Sequence, residues 1–531
     1  MIGVLCRNQD QAVAAEFFEL FKTPWALYDP GENYAVVIVD SVEYDASDIA
    51  ADLVIVFGSD APLAGQGHVI ARSPAGDFPL FGSVRLAEGD GEALVELETG
   101  AVCRRIAPNV VRCGYELFGE VRRILTQGQP VSLARYPTLD LHIALVRRWI
   151  LEAGVRLVEI PPTPSGYEHI ACLTHDVDNI GIRLHGGDHT LWGFVFRASV
   201  GSVRDVLRGR SDWRRLAANL RALAALPFVF LGVAKDYWLD FDEYAEIEQE
   251  LGGTFFFIPR RGYAGKQVAA RHARRRAAPY DLDDARPWIA RLRDDGFEIG
   301  VHGLAAWIDA EDGAVELERI ADAAGSAELG IRMHWLCFDE GSWARLDEAG
   351  YVYDATFGYN DAVGFRAGTH QVFRPLSAAR LLELPLHIQD TSLFLSSRLG
   401  LGEARASADC SIVTNSAREH GGVVTLSWHS RSCGPERLWG GFYRRLIAEI
   451  RQSAVWFAPA RDVVAWFATR RDVTFRLGAG GRVQAALAAQ CEGRVPPFLV
   501  RVHLGPNVYR DVIWRTGDAL TVEVEPKAEV V

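Results

Sequence analysis

The stretch Ile170-Ala-Cys-Leu-Thr-His-Asp-Val-Asp178 joins an apolar run, Ile170 to Thr174, to a cluster of polar residues. An apolar run of this length reads as a buried strand, and side chains two apart along a strand share one side of it. Asp176 and Asp178 then stand together at a strand end. One carboxylate can hold a hard or borderline cation while the other takes a proton from water. Reactive groups of open α/β sheets and (β/α) barrels collect just past the carboxyl ends of the strands, so the residues that follow every other strand matter.

Six more strand candidates come after it: Thr254 to Pro259, Phe297 to Val301, Ile331 to Trp335, Tyr351 to Tyr353, Leu382 to Leu386 and Val423 to Trp428. Between them lie helix candidates such as Phe241 to Leu251, Ala285 to Asp294, Ala314 to Ala324 and Arg437 to Arg451. Strand-helix alternation predicts a parallel sheet or barrel, and the uneven connections predict a distorted one. The strand ends are polar. The third runs into His302-Gly303, the fourth carries Arg332-Met333-His334, the fifth gives Asp354, the sixth His387 and Asp390, and the seventh His429.

Asp178 with His302 is a nitrogen-oxygen set that suits zinc, with iron or cobalt as alternatives in a similar open site. A divalent metal with one open position acidifies water and polarises a carbonyl, and His429 across the mouth can then protonate a leaving group. Each motif alone has a plainer reading. The aspartates could cap a helix, His302 could be a turn histidine and His429 a packed core histidine. Their coincidence at several strand ends favours a site. His387, on an apolar strand, reads as a satisfied core histidine.

The motifs resemble those of the polysaccharide deacetylases, the NodB-homology or carbohydrate esterase family four proteins. The matching blocks are Thr174-His-Asp-Val-Asp178, Glu298-Ile-Gly-Val-His-Gly303, Gly330-Ile-Arg-Met-His-Trp335, Gly350-Tyr-Val-Tyr-Asp354 and Thr425-Leu-Ser-Trp-His429, in order, over roughly 167 to 466. The resemblance implies a distorted (β/α) barrel of about seven strands and metal-dependent removal of acetyl groups from sugars. It implies Asp176 as catalytic base, Arg332 keeping that base ionised, Asp178 and His302 as metal ligands and His429 as general acid. Asp354 either orients His429 or caps a turn. The family commonly has a second ligand histidine four residues after the first, where this chain has Ala306. A divergent branch resembles the chain further, through Gly364-Phe-Arg-Ala-Gly368, Phe373-Arg-Pro375, Leu384-Pro-Leu386 and Asp390-Thr391; the resemblance implies that the replacement is tolerated, and His334, at another strand end, is the expected substitute ligand.

Outside this region, residues 1–165 contain a helical stretch, Gln11 to Phe21, and strand-like runs at Ala35 to Val39 and Ala51 to Phe57, which predict an N-terminal α/β domain. Leu139 to Ala153 has helical spacing, and the proline-rich Ile160 to Gly166 closes the domain. The barrel is expected over 166–470. Residues 471–531 alternate in brief runs and predict a small β-rich domain, with Gly478, Gly480 and Gly481 at a hairpin turn rather than a phosphate loop.

The 531 residues carry 56 basic and 69 acidic side chains, a net charge of -13, so nucleic acid is not an expected partner. The longest apolar run, Ala222 to Ala234, contains Pro227 and is too short to span a bilayer, so no transmembrane segment is expected. It reads as a buried helix or loop-and-strand segment, with an interfacial role as the minor alternative. The opening Met1 to Cys6 lacks the basic region of a secretory signal, which places the expected site of action in the cytoplasm. Eight scattered cysteines without a Cys-x-x-Cys pair exclude zinc-ribbon and disulfide-scaffold readings. The basic run Arg271, Arg274, Arg275, Arg276 reads as a solvated loop, Arg366 and Arg374 as salt-bridged or solvated, and Trp192, Trp307, Trp335 and Trp439 as core. The expected partner is an acetylated saccharide. The alternatives are a weakened sugar-binding or scaffold protein, motivated by Ala306, and a metal-dependent amidase acting on a non-sugar amide.

Overall fold

The computed structural model describes residues 1–40, 49–58, 67–209, 212–266, 268–478, 482–487, 496–515 and 519–524. Seven parallel strands form its centre. They are His169–Val177, Thr254–Phe257, Glu298–Gly303, Gly330–Met333, Tyr353–Asp354, the extended segment 382–389, and Val423–Ser427. Each overlaps a sequence-predicted run, although the sixth continues past Leu386 to Gln389, and a further parallel strand, Val455–Phe457, pairs with the first outside those runs.

The sixth strand closes the barrel, and it does so in two pieces. Leu382–Glu383 pairs with the fifth strand, where Leu384 N also donates to Asp354 O at 2.8 Å. Beyond Pro385, which has no N–H to give a ladder, the chain changes neighbour. His387 N donates to Thr425 O at 3.2 Å and Ile388–Gln389 pairs with the seventh strand. The seventh strand pairs with the first, completing the circle. Strands buried on both faces need near-continuous apolar sequence, and every residue of His169–Val177 is buried.

The N-terminal region is a seven-stranded sheet in the order Trp25–Leu27, Ile2–Cys6, Val36–Asp40, Leu53–Phe57, Val110–Cys113, Gly100–Ala107, Glu92–Leu97. Its first five strands pair in parallel, and the last two are added through antiparallel pairings. Helices Gln11–Phe21 and Thr138–Glu152 lie where the sequence puts them. Arg470, buried at the end of helix Ala460–Arg471, ties this region to the barrel. Its guanidinium donates to Ile160 O (2.6 Å), Glu19 O (3.0 Å) and Leu20 O (3.0 Å).

The C-terminal region differs from the single small sheet expected. One sheet pairs Val473–Gly478, Arg482–Leu487 and Leu520–Glu523. A second pairs Phe498–Gly505 and Val508–Trp514 with Leu157–Glu159, a strand from before the proline-rich boundary. Gly478 lies opposite Arg482, while Gly480 and Gly481 lie outside the described residues.

A helical insertion separates the first two barrel strands, built from His189–Phe196, Ser202–Leu207 and Trp213–Phe230. Here the reading of Ala222 to Ala234 as buried needs correction. The insertion's own core is six buried residues, including Ile182, Phe194 and Trp238, too few to cover both sides of its helices. Phe228, Phe230, Leu231 and Val233 face solvent. Among the described residues, no helix is long and apolar enough to cross a membrane. The described cysteines are all free and mostly buried, as their apolar settings predict; Cys491 lies outside the described residues.

Candidate functional site

Alternation along the first barrel strand separates His175 from the acids around it. His175 turns outward, with Nε2 2.9 Å from Glu248 Oε1 and its ring stacked on Phe255. Thr174 and Asp176 turn inward to one partner: Arg332 Nη1 donates to Thr174 Oγ1 at 2.6 Å and to Asp176 Oδ1 at 3.1 Å. Ser427 Oγ donates to Asp176 Oδ2 at 3.1 Å. Burial alone would raise the Asp176 pKa, but the Arg332 charge, with His302 and His429, holds it below the ordinary value. The structure thus brings Arg332 to Asp176 as the resemblance implies.

Asp178, one residue past the strand, reaches two imidazoles. His302 Nε2 and His334 Nε2 each lie 3.3 Å from Asp178 Oδ1. The three side chains offer ligand atoms that all lie within 4.8 Å of one another. His302 Nδ1 is 2.9 Å from the carbonyl of Arg332, its partner across the parallel register. A carbonyl only accepts, so Nδ1 carries a proton, and in the neutral form of the ring Nε2 presents a lone pair toward the carboxylate. In that form both atoms are acceptors, and a cation between them would satisfy both. Asp178 Oδ1 itself is buried and has no hydrogen-bond partner. Ligand atoms roughly 2.1 Å from a tetrahedral ion stand about 3.4 Å apart, close to the two distances from Asp178 Oδ1 to the imidazoles. The residues present therefore fit a divalent metal.

His334 completes the trio because the chain turns sharply after Met333. Trp335 (φ 63°) and Leu336 (φ 51°) both take left-handed backbone, uncommon for such residues and a recurrent feature of functional turns. Burial pushes the His334 pKa down to about 3, which keeps the ring neutral as a ligand must be. Position 306, where the resembled family has its second histidine, lies elsewhere. Ala306 is fully buried against the helix Ala310–Ala324, where a Cβ on Gly313 would stand 3.1 Å from the Ala306 Cβ.

His429 stands over the mouth with Nε2 3.8 Å from Asp178 Oδ2. Its Nδ1 is 2.7 Å from Asp390 Oδ1, and its backbone N donates to Asp390 Oδ2 at 2.8 Å. Ser432 Oγ also donates to Asp390 Oδ2, and Arg437 Nη1 supports Ser432 at 3.0 Å. Burial would lower the His429 pKa, yet the Asp390 charge and hydrogen bond raise it to about 9. That pairing favours the protonated, donor form of His429.

Asp354 is placed away from His429. Its Oδ1 accepts from Thr356 N at 3.0 Å and from Thr356 Oγ1, and it pairs across the strands with Glu383. Thr356 Oγ1 in turn accepts from Met333 N at 2.9 Å, so Asp354 shapes the turn that leads to His334. Of its two sequence readings, orienting His429 belongs to Asp390 instead. The signal for Asp390 was its place at the end of the sixth strand. His387 is a core histidine, stacked on His370 with Nε2 3.2 Å from Thr369 O. Arg276 departs from the solvated reading of its run: it is buried and donates to Leu304 O (3.0 Å) and His334 O (3.2 Å) behind the turn that carries His334. Arg366 is stacked over Phe357 and Phe338 rather than salt-bridged. Trp335 and Trp192 are exposed, not core.

No protein-family model matches the sequence, and no curated protein matches it. Solved structures give low-scoring likenesses. A protein assigned as a polysaccharide deacetylase from Mycobacterium smegmatis matches at TM-score 0.36 and 18% identity, over 59% of this chain and 96% of its own. Puue allantoinase matches at TM-score 0.36 and 12% identity, over 58% of this chain and 94% of its own. Agd3, described as a novel carbohydrate deacetylase, matches at TM-score 0.35 and 8% identity, over 98% of each chain.

Proposed function

We propose that the chain is a metal-dependent hydrolase that removes acetyl groups from an N-acetylated or O-acetylated sugar, glycan or glycolipid precursor. The observation that carries this reading is the pair of imidazole Nε2 atoms 3.3 Å from Asp178 Oδ1, set between a charge-held carboxylate, Asp176, and a charge-raised imidazole, His429.

Asp178, His302 and His334 would hold the metal, zinc by the chemistry of the set and iron or cobalt as alternatives. Such an ion, when bound, lowers the pKa of water and polarises a carbonyl. Asp176 takes the proton from the attacking water as its oxygen bonds to the acetyl carbonyl carbon. Arg332 keeps Asp176 ionised for that task. The C–N or C–O bond then breaks, and His429 Nε2 gives its proton to the departing amine or alcohol. Acetate and the free sugar group are the products. Asp390 holds His429 with its proton on Nδ1 and balances the imidazolium charge. Asp354 acts through position, setting the Met333–His334 turn.

The scaffold alternative rested on Ala306, and His334 supplies the nitrogen that Ala306 does not. The test is metal analysis of gently purified protein beside an assay of acetate release from N-acetylated sugars and from small non-sugar amides. One metal per chain with release from sugars supports the reading. A metal-free, inactive chain returns the scaffold alternative, and release from small amides alone returns the amidase.

A further inference from the structure

Among the described residues, 11 of the 26 exposed large hydrophobic side chains fall between positions 192 and 233, on the insertion that follows the first barrel strand. They are large and well out of the protein: Trp192 is 64% exposed, Leu207 79%, Trp213 72%, Leu231 75% and Val233 73%. Val200, Val203, Leu207 and Leu220 line an apolar groove between the helices. Soluble surfaces rarely gather apolar side chains in this way.

The same segment opposes the chain's overall charge. From 189 to 235 it has seven arginines and one lysine against two aspartates, in a chain of net charge -13. Arg204, Arg208, Arg214 and Arg221 are exposed, and among the described residues none has a carboxylate within 4.0 Å. Exposed tryptophan and phenylalanine interleaved with unpaired arginine, on helices too short and too charged to span, is the composition of an interfacial element.

Its position links it to the mouth. Arg215 Nη2 donates to the carbonyls of Arg437 (2.9 Å) and Leu438 (2.8 Å), and Asn219 Oδ1 accepts from Glu436 N at 2.7 Å. That loop follows His429, and Arg437 supports the Ser432–Asp390 pair. At its root, His185 Nε2 meets Asn179 Oδ1 at 2.8 Å, one residue past Asp178.

We propose that the insertion docks on an anionic lipid bilayer surface, its aromatic and aliphatic side chains entering the interface and its arginines meeting acidic headgroups. Resting on the hydrolase reading above, this assigns the substrate class as an acetylated sugar carried on a lipid. The minor interfacial alternative for Ala222 to Ala234 becomes the main one, since Phe228, Phe230, Leu231 and Val233 of that run are exposed where burial was expected.

The experiment is co-sedimentation of the full chain with vesicles of phosphatidylcholine alone and with about one third phosphatidylglycerol. Binding is expected to the second, weakening as salt is raised. The double variants W192S/W213S and R204E/R208E are each expected to lose binding at least about tenfold. All four positions are exposed and lie outside the catalytic set, so deacetylation of a water-soluble acetylated sugar serves as the fold control. Absence of binding to both vesicles, or equal binding by the variants, overturns the proposal. So does a vesicle-free dimer in sedimentation velocity that W192S/W213S abolishes, since a second copy then covers the face. Retained sugar deacetylation without vesicle binding sinks the docking alone; vesicle binding without any deacetylation sinks the hydrolase reading alone.

Discussion

Asp390 holds His429 by two atoms at once, its Oδ1 2.7 Å from the ring Nδ1 and its Oδ2 2.8 Å from the backbone N. One carboxylate therefore sets the position of the residue, the tautomer of its ring and its charge. The seventh strand delivers His429 and the split sixth strand delivers Asp390, so the pairing depends on the closure of the barrel.

The first prediction concerns pH. His429 works as an acid only when protonated, and its pKa is raised to about 9. Activity limited by this group persists through neutral pH and falls as pH rises past about 9. Asp390→Asn removes the charge that opposes burial, so the alkaline limb of kcat/KM should move to lower pH, with a loss on the order of 100-fold at neutral pH. An unchanged limb in the variant removes His429 as the acid.

The two aspartates of Asp176-Val-Asp178 should separate cleanly. Asp178→Asn is expected to lose metal and activity together, because Asp178 Oδ1 is the atom both imidazoles face. Asp176→Asn should keep its metal and lose at least about 100-fold in rate. Metal analysis of the two purified variants beside their rates decides it, and ordinary activity of Asp176→Asn would refute the base assignment.

Stability should depend on Arg470. Its guanidinium satisfies carbonyls of Ile160, Glu19 and Leu20 inside a buried junction. Arg470→Met strands those acceptors and should destabilise the chain by about 3 kcal/mol. Denaturant unfolding of the two proteins measures it, and a difference below about 0.5 kcal/mol denies the residue its role.

A pH-dependent stability term should arise from Asp140. Burial raises its pKa to about 7 from an ordinary 3.8, against hydrogen bonds from Thr369 and His370. The folded state then binds a proton that the unfolded state has released, so this contribution is complete below about 4 and is lost as pH rises to about 7. Asp140→Asn keeps an acceptor without the charge. Its stability should fall less than that of the wild type between these two pH values, as thermal unfolding at each would show.

The barrel was legible because its strands are buried on both faces and so are written as apolar runs, each ending in polar residues. Its closure was not legible. Leu382 to Leu386 read as one strand, whereas Pro385 divides it between two neighbours distant in sequence. Which acid faces His429 follows from that division, so Asp354 and Asp390 looked alike at their strand ends. The insertion misled for a different reason. An apolar run records what would be stable out of water, and only the small core beneath it shows that Phe228, Phe230, Leu231 and Val233 are left facing water. The boundary near 165 was blurred likewise, since Leu157–Glu159 pairs with a strand about 340 residues later.

The last prediction decides how the metal site is made. If His334 is the third ligand, His334→Ala should lower metal affinity by at least about 100-fold, since removing even an outer-shell partner commonly loses 10–100-fold. Restoring the histidine that the resembled family has, by Ala306→His, should fail to rescue it. Ala306 is fully buried against Gly313, and the adjacent Leu304 N and Ala305 N are held by Glu316 at 2.9 and 2.8 Å. An imidazole there has no room without moving the helix Ala310–Ala324, and overpacking of this kind costs about 1–3 kcal/mol. The double variant should therefore be less stable than His334→Ala and equally poor in metal. Calorimetric titration of zinc into the wild type, His334→Ala and the double variant supplies the comparison, with thermal unfolding of the metal-free proteins as the second readout. Full recovery of zinc binding in the double variant would mean that position 306 does reach the site and can take the place of His334. Loss of zinc in His334→Ala with no recovery establishes a ligand set moved from the loop after the third strand to the turn after the fourth.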